Sequence, residues 1–209
     1  MSARAIRGLG IVEPLTVFAL IMAYIWTFRF RYHGMWLAIL ALMIVSHAFR
    51  HETPSRIGFV SQNFPECLRR FGPALILLTL ALFSTGILLR TTRPIPLENA
   101  ILAWVAYVPW GIFQQYLLNG YFFNRLDAAF SPKVAAAVSA ILFSGAHLPN
   151  WFLMLVGLVA GYCCACIYRT HKNLYFLGIA HGTVGALLFL VVPDSVSHHL
   201  IVGPGWFYH

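Results

Sequence analysis

The chain has 209 residues, of which 60% are hydrophobic and only 10% charged, with a formal net charge of +8. A soluble domain carries roughly 45–50% apolar residues, so this composition excludes an ordinary water-soluble fold and predicts an all-α polytopic transmembrane bundle of about seven helices. The positive balance does not point to nucleic acid, because no basic cluster is interleaved with exposed aromatics; the cations stand at the ends of apolar runs.

About 20 apolar residues are needed to cross a hydrocarbon core of about 30 Å as a helix. Runs that meet or approach this length are 12–28, 35–48, 73–89, 99–118, 134–147, 151–168 and 174–192, the second and fifth being short. Arg4 and Arg7 precede the first run, but no small-x-small cleavage pattern comes after it, so it is read as a permanent helix. Arg29, Arg31, Arg90 and Arg93 fall on one side of the membrane. The other cations, Arg50, Arg69, Arg125 and Lys172 among them, share the side of the N-terminus. That bias predicts a cytoplasmic N-terminus, in the inner (plasma) membrane of a bacterium.

The polar interruption 50–71, "RHETPSRIGFVSQNFPECLRRF", is expected to lie along the interface. The chain divides into three parts: helices and interfacial loop over 1–98, a core over 99–192, and a solvated tail over 193–209, whose His198 and His199 stand near Asp194. Gly157 with Gly161, and Gly178 with Gly182, have the spacing that lets membrane helices approach closely. Cys67, Cys163, Cys164 and Cys166 are read as small packing residues, not as a disulfide framework.

The stretch "FQQYLLNGYFF" places Gln114, Gln115 and Asn119 inside an apolar run. Intramembrane polar residues face a bundle interior or a wet cavity and mark functional sites by default. Gln115 and Asn119 are four apart and share a helix face, close enough to exchange an amide hydrogen bond; Gln114 is turned by about 100°. His147, after "FSGA", and His181, within "GIAHG", each have small neighbours that leave room beside an imidazole. No metal site is expected, since a third ligand would be a glutamine carbonyl, and no cofactor is expected.

The order "QQYLLNG", "FSGAH", "HGTVG" resembles the CPBP family of intramembrane proteases, which includes type II CAAX prenyl endopeptidases and bacteriocin self-immunity proteins. The family pattern is EExxxR, then FxxxH, then HxxxN; "RIGF" at 56–59 also resembles an upstream family segment. The resemblance implies that Gln114 stands where the family has its water-activating glutamate. Gln115 and Asn119 stand for the supporting glutamate and arginine, Phe143 and His147 complete FxxxH, His181 is the second histidine, and Gly185 replaces the asparagine that helps hold an oxyanion. The spacing is kept, but a carboxamide cannot act as a general base. A buried ion pair has become a neutral pair, leaving neither ion stranded.

Glu13, Glu52, Glu66, Glu98, Asp127 and Asp194 are the acids. Glu98 is about 24 Å from Gln114 along a helix, so Glu13, or Glu52 if the interfacial loop folds inward, is the candidate substitute; a histidine is another. Two readings are open. One is an endopeptidase cutting membrane-embedded or lipidated peptides or proteins within the lipid bilayer. The other is an inactive relative that binds such peptides as an escort, immunity or assembly factor.

Overall fold

The computed structural model describes residues 3–208; the side chains of Arg4 and Arg7 lie outside the described ones. Among these residues all regular elements are helical: α1 (Ala3–Ala23, prolonged by a π-helical turn Tyr24–Phe28), α2 (Met35–Phe49), α3 (Pro54–Ile57), α4 (Phe64–Leu88), α5 (Leu97–Gln115), a π-helical segment (Tyr116–Phe123), α6 (Asn124–Asp127), α7 (Pro132–Gly145), α8 (Trp151–Thr170), α9 (Leu174–Val191), α10 (Asp194–Ser197) and the 3-10 turns His198–Leu200 and Gly203–Tyr208. Among the described residues five helices are long and apolar enough to span a membrane, and α2 and α7 are shorter apolar ones. Large apolar side chains such as Leu77, Leu88, Leu97 and Leu102 face outwards, as a bilayer in place of water demands.

Two boundaries differ from the sequence reading. The fourth span runs on to Asp127 through the π-helical segment, so that Leu97–Asp127 forms one rod. The interfacial stretch is also shorter than 50–71, because α4 starts at Phe64 with Pro65 in its first turn, where a proline loses no helical hydrogen bond.

Two buried asparagines set the start of α8 and α9. Asn150 Oδ1 accepts from Leu153 N at 3.1 Å, and Asn173 Oδ1 accepts from Phe176 N at 2.8 Å, each satisfying a donor that the first helical turn leaves free. Their amide nitrogens tie down distant chain. Asn173 donates to Val60 O and Asn63 Oδ1, and Asn150 to Ser197 O and Ile201 O.

The tail is therefore docked on the bundle, although His199, Phe207 and Tyr208 stay exposed. Gly203 N donates to Leu148 O and Arg29 Nη2 to Val202 O, His198 stacks on Trp206 with centroids 3.7 Å apart, and Arg93 and His199 both pair with Asp194.

The closest helix contact joins α5 to α9. A Cβ on Gly111 would lie 2.4 Å from Gly178 O, and one on Gly182 2.8 Å from Tyr107 O, so the backbones touch directly. The expected small-residue seam through Gly178 and Gly182 is thus observed, with Gly111 as its counterpart. On the other side, Gly157 and Gly161 of α8 seat the ring of Phe143.

The "RIGF" segment is clamped beneath α8 and α9. Tyr168 donates to Ile57 O at 2.5 Å, and Leu174 N to Gly58 O at 2.8 Å. Gly58 has φ +105°, and a Cβ there would lie 2.7 Å from the Tyr168 ring. Gly58→Ala combines left-handed strain with overpacking and is expected to cost about 2–4 kcal/mol, read as a lowered unfolding temperature in detergent. Ser55→Ala, on exposed α3, is the control expected to leave it unchanged.

Candidate functional site

Phe143 and His147 stand four residues apart where α7 ends, His147 in the turn just beyond Gly145. The Phe143 ring lies 4.9 Å from the His147 ring and 5.9 Å from that of His181 on α9, edge-on to both. FxxxH therefore gathers the two histidines about one phenylalanine. The amide pair joins from α5: Asn119 Nδ2 donates to Gln115 Oε1 at 2.7 Å, and Gln115 Nε2 to His181 Nδ1 at 3.1 Å.

This relay fixes the protons. Because His181 Nδ1 accepts, its hydrogen sits on Nε2, making His181 a donor to whatever faces it. His147 has the reverse arrangement. Its Nδ1 lies 2.8 Å from Phe143 O and donates to it, which leaves Nε2 with a free lone pair, the form a general base needs.

Gln114 and Gly185 fit less simply. Gln114 makes no hydrogen bond to either histidine, and its Oε1 is buried without a partner. Gly185 is one turn past His181, and a Cβ there would lie 3.2 Å from the Tyr107 ring. Tyr107 thus crowds the position from which the family's asparagine would project.

The two substitute carboxylates are committed elsewhere. Arg125, with a side chain only 1% exposed, grips Glu52 through both terminal nitrogens at 2.9 and 2.8 Å and Glu13 through Nε at 2.9 Å. Ser46, Arg50 and Tyr121 complete the shell around Glu13, and His47 donates to Glu52. Two carboxylates meet two guanidinium groups, so the cluster is neutral overall. It corrects two expectations: Arg125 is a buried structural cation instead of a topology signal, and neither Glu13 nor Glu52 is hydrogen-bonded to Gln114, His147 or His181. The cue was present in "FFNRLDAAF", a lone arginine continuing an apolar run.

Burial alone would raise the Glu52 carboxyl, but hydrogen bonds from Arg125 and His47 outweigh it and hold the group below its ordinary 4.5. A depressed folded-state value stabilises the fold above the unfolded value and loses that contribution as pH falls through the folded one. Unfolding temperature is expected to decline as pH drops below 4.5, with a shallower decline in Glu52→Gln, tracked by thermal melts in detergent.

Among the described residues no three His, Cys, Asp or Glu side chains group as a metal set. What remains is a helical membrane bundle holding two imidazoles, His181 on a neutral amide relay and His147 on the Phe143 carbonyl.

Residues 96–187 match the family model described as Rce1-like, type II CAAX prenyl endopeptidase Rce1-like. This stretch, from the start of α5 into α9, belongs to that CAAX-protease-like family. No curated protein and no solved structure matches the chain.

Proposed function

We propose that the protein is a CAAX-protease-like membrane protein that binds membrane-embedded or lipidated peptides without cleaving them. The observation that carries this reading is the Asn119–Gln115–His181 relay. It is continuous from Asn119 to His181, neutral, and supplies no carboxylate, while Glu13 and Glu52 are held by Arg125. A peptide carbonyl can accept from His181 Nε2–H, but no glutamate stands ready to take a proton from water. The charge distribution favours a cytoplasmic N-terminus.

A second reading rests on the free lone pair of His147 Nε2. With His147 as base and His181 as donor, hydrolysis could proceed by another route, Gln114 orienting the water.

The test uses purified protein in lipid nanodiscs and a panel of transmembrane and farnesylated peptides carrying a photocrosslinker. Crosslinking without turnover, weakened by His181→Ala, is the expected result. Turnover that disappears in both His147→Ala and His181→Ala would replace it with the second reading.

A further inference from the structure

Past α10 the backbone takes a course that its residues do not favour. His198, His199 and Leu200 follow one another with φ of +45°, +54° and +57°, and none of them is a glycine. Left-handed backbone crowds the Cβ of an L-residue against the following carbonyl, and such outliers persist only where the surroundings over-determine them. One side chain does so here. Asn150 Nδ2 donates to Ser197 O at 2.9 Å and to Ile201 O at 3.0 Å, the two carbonyls that bracket the three strained residues.

Asn150 stands three residues after His147. Its backbone N donates to His147 O at 2.9 Å, closing the turn between α7 and α8, and its Oδ1 caps α8 at Leu153 N. The tail reaches this turn a second time, where Gly203 N donates to Leu148 O at 2.8 Å. The turn that carries His147 is thus tied to the tail at two places. The tail itself has little else beneath it, since none of its described residues is part of the apolar core. Its remaining anchors lie on the rim: Arg93 to Asp194, Arg29 to Val202 O, and the stack of His198 on Trp206. A segment held by hydrogen bonds over few buried apolar contacts opens locally at low cost, and release of the Asn150 bracket relaxes three unfavourable residues together.

We infer that the C-terminal segment is a strap on the His147 turn and that Asn150 is the positioning residue that fastens it. Docked, the strap fixes the turn and with it His147. Unfastened at the left-handed residues, it loosens the turn and widens access to His147 Nε2. That the opening admits a peptide to the two histidines rests on the binding reading proposed above; the strap and its hold on His147 do not.

The experiment treats the full chain in nanodiscs with diethyl pyrocarbonate, which carbethoxylates an unprotonated imidazole nitrogen, and follows each histidine by mass spectrometry with exposed His51 as the reference. Asn150→Asp keeps the oxygen that caps α8 and puts an oxygen in place of the nitrogen that donates twice, so it unfastens the strap and spares the cap. Labelling of His147 is expected to rise at least about tenfold over the parent, as the loss of two hydrogen bonds implies, while His181 and the buried His47 change little. Leu200→Gly relieves the strain at φ +57° and is expected to slow His147 labelling about fivefold, whereas Leu200→Ala leaves it unchanged. A merely structural role for Asn150 would raise His47 and His181 along with His147. That parallel rise, equal His147 labelling in the parent and Asn150→Asp, or no slowing in Leu200→Gly would overturn the strap. The photocrosslinking peptides separate the two claims. Peptide captured while His147 labelling ignores both variants keeps the binding reading and removes the strap; labelling that responds as expected with no peptide captured keeps the strap and removes the binding reading.

Discussion

Arg125→Leu is expected to be the most destabilising single substitution in the molecule. Breaking a buried ion pair by removing one partner costs about 3–5 kcal/mol, against a total stability of roughly 5–15 kcal/mol. Here one guanidinium serves two carboxylates, Glu13 and Glu52. Their side chains remain 19% and 25% exposed, and Arg50 still holds Glu13. Water and Arg50 therefore relieve part of the penalty, which keeps the estimate near that range instead of doubling it. The measurement is membrane yield and unfolding temperature in detergent, with both expected to fall sharply. The combined Glu13→Gln, Glu52→Gln, Arg125→Leu protein removes the two carboxylates with their buried guanidinium, leaves only the part-exposed Arg50 without its partner, and is expected to recover much of the loss. If Arg125→Leu melts like the parent, the cluster is not what joins α1, α2 and α6.

The importance of that cluster explains the limit of the sequence reading. Helices and motif were legible because each leaves a local trace: apolar runs of membrane length, Gln115 and Asn119 at i and i+4, and Phe143 and His147 four apart. The α5–α9 seam was half legible, since the spacing of Gly178 and Gly182 is visible but its facing partner Gly111 is not. The Arg125 cluster was not legible. Its members come from α1, α2, the loop after α2 and α6, and nothing in 13, 47, 52 and 125 as positions says that they meet. A lone arginine continuing an apolar run hints that Arg125 is buried, but nothing local to it names Glu13 or Glu52 as its partners. The tail was misread for a related reason. Arg93 and Asn150, which anchor it, are distant in sequence, so "PDSVSHHL" looked like a free polar end. Tyr107 escaped notice as an ordinary aromatic in an apolar helix until its ring was seen against Gly185.

On the proposed reading of the parent as a binder, Gln114→Glu is expected to raise peptide cleavage well above the parent's level. A general base contributes about 10²–10⁴-fold to a rate, and a carboxamide contributes none by that route. The parent already holds the other parts: His181 with its proton on Nε2, set by Gln115, and His147 anchored by Phe143 O. Gln114 Oε1 has no partner to give up, so the exchange breaks no hydrogen bond of that atom. Gln115→Glu would act differently. A carboxylate cannot donate to His181 Nδ1; the ring would have to turn its proton to that side, so that Nε2 no longer donates. Gln114→Glu alone should therefore outperform the pair Gln114→Glu, Gln115→Glu. The measurement is turnover of the same peptides in nanodiscs, with a gain of at least about a hundredfold over background expected and its loss when His147→Ala or His181→Ala is added. Should Gln114→Glu bind peptide and remain silent, the missing glutamate is not what stops the chemistry. The next obstacle is then the Tyr107 ring against Gly185, where the oxyanion-holding asparagine is absent.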